Sequence, residues 1–267
     1  MPPHRHAPRP HRQRAALRQL DTAGAGHEPR GDEPIGVHRV PTGVDPLALD
    51  HVALSVADPE AMAAFLCDHL GMQRLTSNAD VTVVGAGAPA ATLALVAAEG
   101  PREAGSLGRL VLRVADVERA VALLPAGAAV DGDGFMEATF EGPEGLGLGF
   151  TFMAGGGIDN DLDHVDLLCA EREQTWAAFI QSGFVPRGDT PHIADKYIAL
   201  AQSSNTATQR PLLHHIGVRV DSIAAVVSHV QAFEVEVDER APDGACAIVL
   251  PGPERIGLRF VEQPLRG

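Results

Sequence analysis

The segment that decides the fold opens with Leu213-His214-His215-Ile216-Gly217-Val218-Arg219-Val220 and closes with Gly252-Pro253-Glu254-Arg255-Ile256-Gly257-Leu258-Arg259-Phe260-Val261-Glu262. In both runs apolar residues occupy alternate positions, which is typical of β-strands with one buried face. The first run carries a histidine, His215, and the last ends on a carboxylate, Glu262. Imidazole and carboxylate are common metal ligands. The segment therefore predicts a strand-containing unit that could hold part of a metal site.

The opening strand recurs upstream, which indicates an internal repeat. The four copies begin at Leu49, Leu107, Leu162 and Leu213 and align without gaps. Each is followed by a helical pattern and then by short β-prone runs separated by turns. In the first copy Asp58 can cap the helix, Pro59 suits its first turn and Gly71 ends it. The chain therefore reads as four βαβββ units.

A single unit of this kind has exposed sheet edges and half a core, so we expect the units to pair. Pairing along the chain gives one domain at 47–154 and a second at 160–265. Residues 1–46 are rich in proline, histidine and arginine and lack apolar periodicity, which predicts a disordered tail. The expected architecture is an α+β fold of two domains behind that tail.

The composition narrows the range of partners. The chain has 35 Asp and Glu against 21 Lys and Arg, which argues against a nucleic-acid partner. It has no run of about 18 apolar residues, so we predict no membrane partner. The three cysteines are isolated in the sequence, which favours a reducing, cytoplasmic compartment. The sequence is compatible with a homo-oligomer.

The four units resemble the vicinal oxygen chelate superfamily, which contains glyoxalase I, bleomycin-resistance proteins and extradiol dioxygenases. The resemblance covers nearly everything after residue 47 and implies the fold and a small-molecule ligand, but no single reaction. In that superfamily the first strand of a unit carries a cavity-facing histidine. His51, His164 and His215 occupy this position, and Arg109 occupies it in the second unit.

The resemblance to two-domain extradiol enzymes implies a divalent metal site in the C-terminal domain. His164 and His215 would bind Fe(II), or Mn, Ni or Zn, together with a glutamate of the last strand. The four positions where the superfamily places that glutamate hold Ala94, Gly149, Ala199 and Arg259. Glu262 is one substitute, although side-chain alternation puts it on the helix face. Asp166, two residues after His164, is another.

Extradiol enzymes also use a histidine and a tyrosine of the fourth unit for proton transfer and substrate orientation. The fourth unit of this chain lacks both ahead of its last strand. His192 and Tyr197 in the third unit are the residues that could replace them as catalytic groups.

Two functions follow from these residues. The first is a metal-dependent enzyme of the ring-cleaving dioxygenase or glyoxalase type, with a degenerate metal site. The alternative is a metal-free small-molecule binding protein of the antibiotic-resistance type. In that alternative Arg259 supplies the positive charge of the ion, lines the pocket for an anionic ligand and can pair with Asp166. His51 and Arg109 are expected to be structural.

Overall fold

The structure is a computed structural model that describes residues 44–155, 157–204, 206, 208–232, 237–238 and 245–262. The predicted disordered tail lies outside these ranges except for its last three residues. Those three belong to the folded part, since Val44 is 4% exposed and the first strand begins at Pro46. Gly183 allows this close packing, because a Cβ there would lie 2.9 Å from the carbonyl oxygen of Val44.

All four predicted units are present. Unit 1 comprises β1 (Pro46–Val56), α1 (Pro59–Leu70), β2 (Gln73–Ser77), β3 (Val81–Gly85) and β4 (Thr92–Ala97). Unit 2 comprises β5 (Leu107–Val114), α2 (Val117–Val121), β6 (Val130–Asp131), β7 (Glu137–Glu141) and β8 (Gly147–Phe152). Unit 3 comprises β9 (Asp161–Cys169), α3 (Arg172–Gln181), β10 (Val185–Arg187), β11 (Thr190–Ile193) and β12 (Lys196–Gln202). Unit 4 comprises β13 (Leu213–Val220), α4 (Ile223–Ala232), β14 (Val237–Asp238), β15 (Cys246–Val249) and β16 (Gly257–Val261).

The first helix has the ends that its sequence predicts. The Asp58 side chain accepts a hydrogen bond from the Ala61 amide at 2.9 Å, which satisfies one of the free amides of the first turn. Gly71 ends α1 in the left-handed conformation at φ 67°. None of the helices in the described part of the chain is long and apolar enough to cross a membrane.

The units combine into two eight-stranded sheets. The first sheet has the order β14-β15-β16-β13-β1-β4-β3-β2, and the second has the order β10-β11-β12-β9-β5-β8-β7-β6. Unit 1 is therefore paired with unit 4, and unit 2 with unit 3. This differs from the predicted pairing along the chain into 47–154 and 160–265.

The cross-strand contacts give a physical reason for this pairing. In the second sheet Arg109 lies directly opposite Asp166, with which it forms an ion pair at 2.7 Å. In the first sheet the large side chain of His51 lies opposite Gly217. Pairing along the chain would instead set Arg109 opposite Ala53. The observed arrangement therefore gives Arg109 an oppositely charged partner.

One hydrophobic core serves both sheets. It contains residues from the first strand of every unit, among them Val52, Leu110, Val165 and Ile216, each fully buried. Helices α1 and α4 pack on the first sheet, and α2 and α3 on the second. The side of each sheet away from its helices carries the polar residues described next.

Consecutive units also contact each other through glutamates that bind backbone amides. Glu144 of unit 2 accepts hydrogen bonds from the amides of Ala57 and Asp58 in unit 1. Glu254 of unit 4 accepts one from the amide of Ala170 in unit 3. Glu262 does the same within unit 4, where it accepts from the Ile223 amide at 2.9 Å. Glu262, predicted as a metal ligand, thus lies at the start of α4, on the helix side as strand alternation indicated.

Candidate functional site

Two polar faces lie on the sides of the sheets away from the helices. We define the first face by His51, Ala53, Thr92, Ala94, His215, Gly217, Arg219 and Arg259 of the first sheet. We define the second face by Arg109, Val111, His164, Asp166, His192 and Tyr197 of the second sheet. At the centre of the first sheet β1 pairs with β13, and at the centre of the second sheet β5 pairs with β9.

A β-bulge precedes the face-pointing position in each of the four first strands. These register shifts fall at Asp50, Gly108, Asp163 and His214, and β1 has a further shift at Leu47. A bulge inserts one extra residue and turns its side chain away from strict alternation. Asp50 is thereby brought to His51, and Asp163 to His164, at 2.9 and 2.8 Å from the respective Nδ1 atoms. In both units the carboxylate fixes the ring so that Nε2 is the atom presented to the face.

The first face is built around two histidines in direct contact. Nε2 of His51 lies 2.9 Å from Nε2 of His215, and the rings meet edge to face. Nδ1 of His215 lies 2.7 Å from Nδ1 of His214. With neutral rings these distances fit one directional chain, in which His214 donates to His215, His215 to His51, and His51 to the Asp50 carboxylate.

Gly217 makes room for this pair. A Cβ at residue 217 would lie 2.7 Å from Cγ of the His51 ring, which no ordinary packing allows. The His51 ring therefore lies over the glycine of the neighbouring strand, and its exposed fraction is 3%. The absence of a side chain at 217 is what permits a buried histidine pair here.

Positive charge flanks the histidine pair. Arg259 on β16 is in register with Gly217, which is in register with His51. Arg219 follows two residues after Gly217 and shares its face. The residues beneath are small, Ala94 lying opposite Ala53. Thr92, opposite His51, has a buried hydroxyl oxygen without a hydrogen-bond partner among the described residues. The first face thus combines a pair of imidazoles, guanidinium groups and an unsatisfied hydroxyl.

The second face has a different content in the same register. His164 lies 3.3 Å, Nε2 to Oδ1, from Asp166, which in turn binds Nε of Arg109 at 2.7 Å. Burial by itself lowers the pKa of His164, but the hydrogen bonds and charges of Asp163 and Asp166 outweigh it and raise that pKa. Burial raises the pKa of Asp166, and the contacts with His164 and Arg109 reverse this into a net lowering. The face is a closed network of paired charges.

The aromatic rings of the second face form a row across three strands. The Tyr197 ring stacks on His164 with centroids 4.4 Å apart, and on His192 with centroids 5.2 Å apart. Burial, followed by the charges of Asp163 and Asp166, raises the pKa of Tyr197 to about 12. The phenol therefore stays protonated at neutral pH and can act only as a hydrogen-bond donor or acceptor.

The structure separates the residues that the sequence had grouped into one site. His164 lies on β9 of the second sheet, and His215 on β13 of the first. His215 contacts His51, which had been assigned a structural role. Asp166 pairs with Arg109 in the second sheet, whereas Arg259 belongs to the first. The candidate catalytic pair, His192 and Tyr197, lies beside His164 and in the other sheet from His215.

The donor set of the first face does not complete the expected triad of two histidines and one carboxylate. Its glutamate positions are Ala94 and Arg259, and Asp50 is bound to Nδ1 of His51. Among the described residues there is no group of three or more His, Cys, Asp or Glu side chains able to hold a metal ion. His51 and His215 would be the two ligands if a divalent ion bound here.

Paired βαβββ modules in two eight-stranded sheets define the class of protein. Residues 48–145 match the family model of the Glyoxalase/Bleomycin resistance protein/Dioxygenase superfamily, so this segment belongs to that superfamily. The predicted resemblance is thereby confirmed. A comparison with curated proteins found no match.

Solved structures share the fold at low sequence identity. Glyoxalase I from Zea mays superposes with a TM-score of 0.63 at 15% identity, covering 80% of this chain and 92% of its own. The cppA protein from Streptococcus pneumoniae gives a TM-score of 0.57 at 13% identity, covering 81% of this chain and 98% of its own. At these identities the likeness establishes the fold alone and leaves the activity to the site residues.

Sequence reasoning missed the residues that prepare the histidines. Asp50 and Asp163 orient the rings, and Gly217 admits His51. A signal was present, because the tripeptide Leu-Asp-His occurs at 49–51 and again at 162–164. An aspartate directly before a strand histidine points to the opposite face in a regular strand. Only the bulge brings it to the imidazole.

Proposed function

We propose that the chain binds a small anionic molecule on its first face, and that it does so without a resident divalent metal. The observation that carries this proposal is Arg259. It stands in register with Gly217 and His51 at a position where the superfamily resemblance implies a carboxylate ligand. A guanidinium there repels a divalent cation and attracts a carboxylate or phosphate.

The other groups of the face support the same ligand chemistry. Arg219 adds a second guanidinium, and the Asp50 carboxylate is 6% exposed and hydrogen-bonded to His51. Ala53 and Ala94, beside the histidines in register, carry only methyl side chains. A ligand oxygen could accept from an arginine, and a ligand donor could satisfy the Thr92 hydroxyl.

A second candidate function, a metal-dependent enzyme of the dioxygenase or glyoxalase type, is favoured by a different observation. The Nε2 atoms of His51 and His215 converge at 2.9 Å, and each Nδ1 is held by a neighbour. Two nitrogen ligands of a tetrahedral zinc ion lie roughly 3.3 Å apart, so a small movement would admit an ion. Substrate or water would then have to supply the missing ligands, as an open catalytic site requires.

Metal and anion binding to the 267-residue protein separate the two functions. We expect purified protein to contain no stoichiometric metal and to gain no thermal stability with Fe(II), Mn(II), Ni(II) or Zn(II). We expect it to gain thermal stability with oxalate, and the Arg259→Gln variant to lose that gain. Arg119→Gln, which removes an exposed guanidinium from α2, is the matched control.

Two results would overturn the proposal in favour of the enzyme. One is stoichiometric metal that is lost in both His51→Ala and His215→Ala. The other is a stabilisation by oxalate that persists in Arg259→Gln but needs added metal. A third variant checks the register, because Arg259→Glu supplies the missing carboxylate and should create divalent-metal binding if residue 259 occupies the ligand position.

We also propose a cytoplasmic location and a small-molecule partner. The cysteines Cys67, Cys169 and Cys246 are in the thiol form, as expected of a protein kept in a reducing cytoplasm. The partner that the first face fits is a small molecule.

A further inference from the structure

A group of exposed apolar side chains lies on unit 2, outside both polar faces. Among the described residues, six large apolar side chains are exposed. One is Leu47 of β1, and the other five fall close together in the sequence: Leu123, Val130, Phe135, Met136 and Phe152. We call these five side chains the unit 2 patch. Single exposed apolar residues are ordinary, whereas a cluster of them marks an interaction surface.

Strand alternation places much of the patch on the helix side of the second sheet. Val130 is in register with Phe140, which belongs to the hydrophobic core. Met136 lies at an even spacing from Phe140, and Phe152 at an even spacing from the buried Phe150. The amide of Phe152 also donates to the carbonyl oxygen of Met136 at 2.8 Å. These side chains therefore extend the core outward on the side away from the second face.

The backbone beneath the patch is held by hydrogen bonds. The Asp133 carboxylate accepts from the amides of Phe135 and Met136 at 2.8 and 2.7 Å. Nδ1 of His69, on α1, donates to the carbonyl oxygen of Leu123 at 2.7 Å. The apolar side chains are thus presented from fixed positions.

The short helix of unit 2 explains why this side is left uncovered. Helix α2 spans five residues, whereas α1, α3 and α4 span ten to twelve. Pro125 follows its last turn and prevents a longer helix. Unit 1 has the same order of elements with a longer helix. Its strands β2, β3 and β4, all of which the structure describes, expose no large apolar side chain. The exposure is therefore a property of unit 2 and not of the fold.

The charges around the patch are negative. Residues 120–152 contain five acidic side chains and no lysine or arginine. Three of the carboxylates belong to the hairpin of β6 and β7 and are exposed: Asp131, Asp133 and Glu137. On α2 the charges of Glu118 and Arg119 oppose each other. A second copy that docked through the same patch would bring like charges together, whereas a cationic partner is attracted.

We propose that the unit 2 patch is a docking surface for a positively charged amphipathic helix of another protein. The apolar side chains of that helix would cover Phe135, Met136 and Phe152, and its basic side chains would pair with Asp131 and Glu137. A helix suits this surface, because the uncovered side is the one that helices cover in the other units. Apolar and basic residues can also occupy opposite faces of one helix.

The test uses a synthetic peptide of about 14 residues with leucine and lysine on opposite faces of a helix. A second peptide carries glutamate in place of every lysine. Fluorescence anisotropy with the full chain should show binding of the lysine peptide and none of the glutamate peptide. In the double variant Phe135→Ser, Met136→Ser the affinity should fall roughly tenfold or more, because two apolar contacts are lost. In Asp131→Asn, Glu137→Gln it should also fall, and the remaining binding should depend less on salt concentration.

Controls connect the outcome to this surface. Leu47→Ser removes the exposed apolar side chain outside the patch and should leave the affinity unchanged, and circular dichroism confirms that each variant is folded. Equal binding of the two peptides, or failure of the lysine peptide to bind, would overturn the proposal. So would an affinity of Phe135→Ser, Met136→Ser within about twofold of wild type. A wild-type dimer that dissociates in this double variant, measured by sedimentation velocity, would also overturn it, since a second copy would then cover the patch.

Discussion

The two polar faces have the same backbone and opposite chemistry. In each, the histidine of an odd-numbered unit lies in a bulged strand next to an aspartate that holds Nδ1. The residues opposite and beside it differ. On the first face the partner of His51 is a second histidine above Gly217. On the second face His164 meets Asp166, which is paired with Arg109. One register therefore supports either a hydrogen-bonded pair of histidines or a closed charge network.

Because of this difference, the two faces offer different polar groups to a ligand. On the second face each charged group between Asp163 and Arg109 already contacts one of opposite charge. On the first face Arg259 is in register with the histidine pair, and the Thr92 hydroxyl is unsatisfied among the described residues. A buried polar group without a partner favours a ligand that supplies one. This difference is why we propose the ligand site on the first face.

The largest expected effect concerns a buried ion pair within the second sheet. Nζ of Lys196 binds Oδ2 of Asp161 at 2.6 Å, with both side chains less than 10% exposed. Oδ1 of Asp161 also accepts from the amide of Ala91, just before β4 of the first sheet. Lys196→Met should cost about 3–5 kcal/mol of unfolding free energy, because it leaves a buried carboxylate without its cation. Urea denaturation measures this.

The exposed pair Arg74–Glu60 is the matched control, at 2.8 Å with side chains 39% and 66% exposed. Arg74→Met should change the unfolding free energy by less than about 1 kcal/mol. Equal losses in the two variants would mean that burial does not make the Lys196 pair more important for stability than an exposed pair.

The next effect tests what separates the first face from the second. Gly217→Val gives the first face the residue type that Val111 supplies opposite His164. Because the His51 ring occupies the space of a Cβ at 217, the variant should lose about 2–3 kcal/mol through overpacking. Urea denaturation checks the loss, and proton NMR of the histidine rings checks whether the pair separates. A variant as stable as wild type, with unchanged ring signals, would contradict the account of Gly217.

The sequence was sufficient for the fold and insufficient for the assembly of the site. Alternating apolar residues and the caps of α1 follow from local rules, and the structure has both where they were predicted. The pairing of units depends on contacts between strands far apart in sequence, since all four first strands share one pattern. The pair Arg109–Asp166 and the fit of Gly217 to His51 favour the observed pairing, but they become visible only when alternative registers are compared. The bulges, which no residue type marks, placed Asp50 and His214 beside rings that strict alternation would have kept apart.

A smaller effect distinguishes the central contacts of the two faces. His215→Phe removes the donor to Nε2 of His51, which is buried, and should cost about 1–2 kcal/mol because a buried acceptor is left unpaired. Arg109→Gln breaks an ion pair whose arginine is 45% exposed, and should cost less than about 1 kcal/mol. Urea denaturation of the two variants under the same conditions measures both losses of unfolding free energy. A greater loss for Arg109→Gln would mean that the ion pair of the second face stabilises the fold more than the histidine contact of the first face does.

The smallest effect is a pH dependence that belongs to the second face. The pKa of His164 is raised above its ordinary value of 6.5, so its contribution to stability is fully present below that pH and is lost as pH rises through the folded-state pKa. The difference in unfolding free energy between wild type and His164→Gln should therefore shrink from pH 6 to pH 9. Asp166→Asn removes one of the carboxylates that raise this pKa, and in that background the pH dependence should be weaker. A difference that is constant or grows with pH would show that the contacts with Asp163 and Asp166 do not stabilise the charged form of His164.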